Sequence, residues 1–368
     1  MYLYLLLGLM CCIAFWQLAC LDHNPQKKPT IWWYYLFVIL IFLLGSLRWE
    51  RGGDWSAYLK YFEDPLPEED FETGFRWLVQ GLKFMIDDFS VYLCVGMFLI
   101  LNLVGRTIVR LSPLPLLSLA VFFSASFAGV FFARQLIAVA ICIFGLYYVV
   151  QRRVWPFLLC VMVATLIHRA AFIFLSVYWV YGWYFSIKKI VLILGVFVVL
   201  SGWIGQVIVS SVGIFGPVIA AKLAVYLQAG EEGYAHGLDV SPVVILIKGI
   251  LSRSVVLLLV LFFLKDQRKN DPVINGLVNI YVLGVCLFAF VTPLGSVLVR
   301  AVIPFDAVAM FLIPAVVVQV RGTFLKLCVY WLVVFYLFFR LNSNIGYYKD
   351  LYIPYKSIFN KETPVEIG

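Results

Sequence analysis

The 368-residue chain is 64% hydrophobic and only 13% charged, with a mean hydropathy of +0.98. An average soluble domain carries roughly 25% charged residues, so a soluble globular chain is excluded and lipid becomes the solvent for most of this one. The net charge of +8 comes from bases scattered in pairs between apolar segments, which is the distribution of loop anchors and not the single basic stripe of a nucleic-acid-binding protein.

Apolar runs recur along the whole length. Helices satisfy their own backbone hydrogen bonds in lipid, and the short alternating strands of a barrel are missing, so the expected fold is an all-α, polytopic integral membrane protein. The run at 2–20 has no basic region before it, and Gln17-Leu18-Ala19-Cys20 is a poor lipoprotein cleavage site, so it is taken as the first membrane segment. The second, at 31–47, opens on the interfacial aromatics Trp32, Trp33, Tyr34 and Tyr35. A hydrophilic loop at 48–88 follows, with ten acids and five bases. Within it Phe71, Phe75, Trp77, Leu78 and Leu82 recur at helical spacing, which predicts an amphipathic helix over 68–86 lying on the interface. Glu68, Glu69 and Asp70 read as its solvated start.

Further segments are expected at 89–105, 114–131, 135–150, 190–210, 242–264, 273–292, 301–319 and 325–341. The stretch 154–185 is too long for one pass and is interrupted by His168-Arg169. Lys27/Lys28, Arg106/Arg110 and Arg152/Arg153 make three short basic loops that alternate with the acidic loop, so the positive-inside rule puts the bases in the cytoplasm and 48–88 outside. A single pass at 154–185 would place every later basic loop outside. A short hairpin restores the rule, puts His168 and Arg169 on the outer side, and gives about twelve segments in a single polytopic membrane domain covering 1–368, with an outer tail at 342–368. All eight Cys lie in apolar stretches without ligand spacing and read as core.

Ionisable residues inside apolar segments cost several kcal/mol and usually face a cavity or each other. Arg134-Gln135 opens a segment on the outer side, His168-Arg169 tips the hairpin, Lys248 and Arg253 sit within one segment, and Arg300 closes a short outer turn. Arg253, the one of these cations that does not map to the outer half, is either a charge partner for Asp306 or a lipid-facing charge. Convergence of these cations towards the outer side suggests an anionic ligand, since Arg can fork onto phosphate oxygens. The acidic loop supplies the opposite chemistry: Gly52-Gly53 permit a tight turn that aims Asp54 at the membrane surface. There is no P-loop, dinucleotide fingerprint, nucleophile elbow or His-rich cluster, so no metal or other cofactor is expected.

The chain resembles the EpsG-type, or Wzy-type, polysaccharide polymerases of bacterial envelopes. The matching pieces run in order: Arg51-Gly52-Gly53-Asp54-Trp55 with Tyr58 and Phe62, Phe71-Glu72-Thr73-Gly74-Phe75, Ala133-Arg134-Gln135-Leu136-Ile137-Ala138, Ala164-Thr165-Leu166-Ile167-His168, and Ile353-Pro354-Tyr355-Lys356. Arg169 stands where the family is expected to have a small hydroxyl residue, and Trp55 where Tyr is common. The resemblance implies a GT-C-like fold and glycosyl transfer at the outer face of the bacterial cytoplasmic membrane, from a glycan on a polyprenyl pyrophosphate to a sugar hydroxyl of an incoming lipid-linked repeat unit. It makes Arg51, Arg134, Arg169, Arg300 and Lys356 candidates for the pyrophosphate, and Asp54, Glu72 and His168, in that order, candidates for the base. Gln135, Lys248, Arg253, Tyr58 and Tyr355 are expected to line the cavity, with Trp55 and Tyr58 as exposed rings for sugars. Implied partners are the two lipid-linked glycans, membrane lipid, a chain-length regulator and a flippase, with no nucleic acid. A lipid-linked oligosaccharide flippase or other transporter, and a polysaccharide ligase, are the alternative activities.

Overall fold

The computed structural model describes residues 2–23, 31–52, 54–65, 71–130, 133–211, 242–294, 296–346, 349 and 353–360. Among them all regular structure is helical, apart from an isolated antiparallel bridge between Arg48 and Ser357. The chain divides into two units, residues 1–172 with 320–368, and residues 173–319.

The first unit contains α1 (Tyr2–His23), α2 (Ile31–Ser46), α3 (Trp55–Glu63), α4 (Thr73–Met85), α5 (Phe89–Leu111), α6 (Pro115–Val130), α7 (Ala133–Val150), α8 (Val154–Ile167) and the late helix Thr323–Gly346. Helix α5 packs against α2 and α7, α7 against α8, and α4 crosses from α5 to α8. Strong starts and stops explain several boundaries. The Asp88 carboxylate accepts from the Ser90 amide at 2.7 Å and starts α5. Helix α8 stops after 14 residues at His168, whose backbone is extended.

Beyond α8 the chain tightens into a 3₁₀ segment, Arg169–Ser176, and then α9 (Val177–Tyr181). The break expected at His168-Arg169 is therefore present. In the second unit α9 is followed by Ile187–Ser211, Pro242–Phe263 and Pro272–Val291. Together with Arg300–Gln319, which is 78% buried over its apolar window, Pro272–Val291 forms the interior of this unit, 72% buried against 28% for the flanking Val244–Phe263. Asp271 caps Pro272–Val291 by accepting from the amides of Val273 and Ile274, and Pro272 fits its first turn.

Six helices among the described residues are long and apolar enough to cross a membrane: Tyr2–Asp22, Phe89–Leu111, Val244–Phe263, Pro272–Val291, Arg300–Gln319 and Thr323–Gly346. Five more apolar helices have 10–17 residues. The expectation of about twelve segments counted ten apolar runs once each and the 154–185 hairpin as two short arms. The structure separates them by length, because at about 1.5 Å per residue a 14- or 16-residue helix is shorter than a hydrocarbon core of about 30 Å. The run expected at 301–319 is likewise not one even helix. It divides into Arg300–Val302, Ile303–Asp306 and Ala309–Gln319, with Pro304 starting the second piece and Pro314 inside the third.

Of the helix predicted over 68–86 the structure shows Thr73–Met85, α4, which starts later than expected because Phe71 and Glu72 are not helical. Phe75 and Val79 face the core while Trp77, Phe84 and Met85 are exposed, an apolar outer surface suited to a lipid interface. Glu68, Glu69 and Asp70 lie outside the described residues, as does Gly53. Helices α3 and α4 are held by an aromatic cluster of Trp55, Tyr58, Phe62, Phe75, Phe89 and Tyr92.

Candidate functional site

Glu72 precedes the first residue of α4, in an extended conformation that turns its side chain away from its own helix. The carboxylate is 8% exposed and meets three groups that are distant in sequence. Arg134, in the first turn of α7, donates from Nη1 to Oε2 at 2.8 Å. The backbone N–H of Arg169 donates to Oε1 at 3.1 Å. The Nδ1 of His168 lies 3.4 Å from the same oxygen, a long contact. One carboxylate therefore ties together the start of α7 and the break after α8.

Local sequence explains this convergence. Helix α8 ends at His168, so the Arg169 amide begins a new 3₁₀ turn and has no helical acceptor behind it. Glu72 provides that acceptor. Gly74 lets α4 come close enough to do so, since a Cβ there would lie 2.7 Å from Leu166 Cβ and 2.8 Å from the Leu166 carbonyl oxygen. The Arg134 guanidinium is stacked as well as paired, 4.9 Å from the Phe71 ring centroid and 5.8 Å from that of Phe75, two rings 5.3 Å apart on one side of it. The Phe71-Glu72-Thr73-Gly74-Phe75 run thus provides a carboxylate, a close approach and two aromatic walls in five residues.

Burial alone would push the Glu72 carboxyl up. The His168 imidazole at 3.4 Å, the hydrogen bond from the Arg169 amide and the Arg134 charge outweigh it and hold the group at about 2. Glu72 is ionised throughout the physiological range but, held so low, is a weak base, which suits an anchor better than a proton acceptor.

Asp54 caps the start of α3 after the turn at Gly52, whose φ of +113° is open to glycine. Its Oδ2 accepts from the Tyr58 hydroxyl at 3.4 Å, and the Tyr58 ring packs 5.6 Å from that of Phe75. Tyr58 therefore links the Asp54 turn to the helix that carries Glu72. Trp55 and Tyr58 correct an expectation: they are 8% and 4% exposed, so their rings build the aromatic cluster and do not present open faces to sugars. Apolar area outweighs their polar edges here.

The other candidates fall into separate places. Lys356 pairs with Glu50 at 2.8 Å, and the Tyr355 hydroxyl donates to the Leu44 carbonyl at 2.9 Å. With Trp49 N–H on Lys356 O and Ile358 N–H on Leu47 O, both at 2.9 Å, they fasten the tail to the exit of α2. Arg48 lies within this clasp, 1% exposed, donating to Gly45 O at 2.8 Å. No sequence signal distinguished this buried cation from an ordinary interfacial arginine. Arg51 is half-buried near the Tyr2 hydroxyl, and Gln135 is half-buried beside Arg134.

In the second unit Arg253 forms a two-point ion pair with Asp306, Nε to Oδ1 at 2.8 Å and Nη2 to Oδ2. It also donates to Gly249 O at 3.1 Å and lies 3.6 Å from the Phe288 ring centroid. The carboxylate partner proposed from sequence is the one observed, and it makes Arg253 a satisfied internal group. Lys248 is exposed, and Arg300 is half-buried at the head of its short 3₁₀ turn. Among the described residues, no group of three or more His, Cys, Asp or Glu side chains could hold a metal ion.

Residues 31–357 match the EpsG family. The chain belongs to the EpsG family. Comparison with curated proteins and with solved structures gives no match. Membership points to a polysaccharide polymerase-type role, and the apolar helices make this EpsG-family chain a membrane protein.

Proposed function

We propose that this EpsG-family protein is a membrane glycosyltransferase that joins polyprenyl-pyrophosphate-linked oligosaccharide repeat units into a surface polysaccharide at the outer face of the bacterial cytoplasmic membrane. The observation that carries this reading beyond family membership is the Glu72 carboxylate gathering Arg134, His168 and the Arg169 amide. In the reaction the acceptor hydroxyl oxygen bonds to the anomeric carbon of the donor glycan. The bond from that carbon to the lipid pyrophosphate breaks, the pyrophosphate leaves with the electron pair, and the hydroxyl proton passes to a base.

Pyrophosphate is a good leaving group, so the main demand on that side is positive charge held in place. Arg134 meets it: one nitrogen is fixed by Glu72, the ring faces of Phe71 and Phe75 restrict its plane, and other donors of the fork remain for oxygens of the ligand. Arg169 extends from the backbone whose amide Glu72 holds. Arg51 and Arg300 are further contacts for the anion, and Lys356 acts through its pair with Glu50. His168 is the favoured base: turning Nδ1 to Glu72 makes Nε2 the nitrogen presented to an acceptor hydroxyl. Asp54, half-buried beside the Tyr58 hydroxyl, is the second candidate. Glu72 positions both Arg134 and His168. Charge asymmetry supports the outer face, since the loop carrying Asp54 and Glu72 is the acidic one. The donor and acceptor lipids, a chain-length regulator and a flippase are the partners this reaction needs.

The test is the length distribution of the surface glycan in a strain carrying His168→Ala or Arg134→Ala at wild-type protein level. The expected result is loss of long chains with single capped repeat units still present. Unchanged long chains refute the reading, and loss of every surface repeat favours a flippase.

A further inference from the structure

The first unit holds a groove at the opposite end of the helices that frame Glu72. Helix α5 starts in the aromatic cluster under α3 and α4 and runs for 23 residues, or about 34 Å, to Leu111. Near that far end, α2 and α5 enclose a groove of about 490 Å³. Its wall is apolar, with Ile39 and Phe98 both more than half exposed along it. One end is polar, formed by Tyr34, Asn102, Arg106 and Arg110.

Three features of that end point to a bound anion with an apolar body. Arg106 and Arg110 are one helical turn apart and exposed, and among the described residues neither pairs with a carboxylate. Arg110 is steadied 4.2 Å from the Tyr147 ring centroid, which fixes its charge without neutralising it. Tyr34 is 2% exposed, lines the groove, and its hydroxyl has no hydrogen-bond partner among the described residues. Gly105 makes room for that hydroxyl, since a Cβ there would lie 3.0 Å from it. A buried hydroxyl without a partner costs roughly 1–3 kcal/mol, a cost that a ligand oxygen removes. The chain's own segment 24–30 is a poor occupant, because Asn24-Pro-Gln-Lys-Lys-Pro-Thr30 brings two more cations and no acid.

We propose that this groove is a binding site for one anionic phospholipid of the leaflet opposite the Glu72 site. Its phosphate sits between Arg106 and Arg110 and accepts from Tyr34, and an acyl chain lies along Ile39 and Phe98. Basic pockets between membrane helices recognise anionic headgroups in this way, and Arg forks suit phosphate oxygens. The site belongs to the protein whether or not the glycosyl transfer proposed above is its activity.

The test is lipid retention by the full-length protein purified in detergent, read by native mass spectrometry after titration with phosphatidylglycerol, phosphatidylcholine or inorganic phosphate. The wild type is expected to hold one phosphatidylglycerol at about a tenfold lower concentration than phosphatidylcholine, a preference of about 1.4 kcal/mol. The doubly substituted Arg106→Gln, Arg110→Gln protein loses that preference. Tyr34→Phe, which keeps the ring, weakens phosphatidylglycerol several-fold, and Ile39→Trp, which fills the apolar wall, weakens both lipids. Equal retention of both lipids by the wild type, an undiminished preference in the double variant, or inorganic phosphate binding as tightly as phosphatidylglycerol overturns the proposal. Both arginines are exposed, so a monodisperse gel-filtration peak is expected of the double variant, and the Ile39→Trp arm tests the groove independently of charge.

Discussion

Replacing Glu72 by Gln keeps the volume of the side chain and an oxygen for the Arg169 amide, and removes only the charge that Arg134 faces. The carboxyl is held at about 2 against an ordinary 4.5, and each pH unit of such a difference corresponds to about 1.36 kcal/mol, an upper limit of about 3 kcal/mol. Solvent near the membrane surface reduces it, so a loss of about 2 kcal/mol at pH 7 is expected. The sign follows from the direction: a carboxyl held below its ordinary value stabilises the fold fully above about pH 4.5, and that contribution disappears as pH falls towards about 2. Thermal unfolding in detergent, followed by tryptophan fluorescence, should show the variant lower than the wild type by a few degrees from pH 8 to pH 5, with the gap closing below pH 4.5. A double-mutant cycle with Arg134→Gln should give a coupling of about 1–3 kcal/mol. A gap of zero at pH 7, a gap that widens on acidification, or additivity within about 0.5 kcal/mol would refute the account of Glu72 as an ionised anchor.

Other substitutions test neighbouring parts of the same reasoning. Gly74→Ala forces a methyl to within 2.7 Å of Leu166. It should cost about 1–3 kcal/mol and shorten the glycan by moving Glu72 off the Arg169 amide, which a glycan ladder and a melting curve together report. Asp306→Asn leaves the Arg253 charge without its counter-charge and should cost about 3–5 kcal/mol, seen as lower yield and earlier unfolding. The double replacement of Arg253 and Asp306 by Met and Leu should recover much of that loss, and no recovery would mean the pair does more than neutralise itself. Lys356→Ala breaks an exposed pair with Glu50 and should change stability by less than about 1 kcal/mol. A loss of several kcal/mol in unfolding measurements would show that the tail clasp depends on it.

Much of the framework was readable from sequence because lipid leaves few choices. Apolar runs had to become helices, and their approximate limits, the break at His168-Arg169 and most of the helix over 68–86 came from local pattern and charge, which also offered Asp306 as one of two readings of Arg253. The number of full-length passes did not, since hydropathy marks an apolar run without saying how much of it remains one straight helix once Pro304 or His168 intervenes.

The roles inside the site also depended on the fold. Sequence singled out Glu72, Arg134 and His168 as types suited to acid, base and phosphate chemistry, with Asp54 first among the bases. Their division of labour was set by which atoms meet. Glu72 is paired and bonded by a backbone amide, which moves it from base to anchor in the proposed mechanism, while Trp55 and Tyr58 turn inward because their ring area is more stable in the aromatic cluster. The unpartnered Tyr34 hydroxyl could be found only in three dimensions, since whether a buried polar atom has a partner depends on helices brought together by packing. The sequence by itself determined that this is a helical membrane chain with an acidic loop and a set of candidate ions, because solvent preference and charge belong to residues. Only the tertiary structure decided which ions neutralise each other and which remain available, because pairing is a property of distances between segments far apart in the chain.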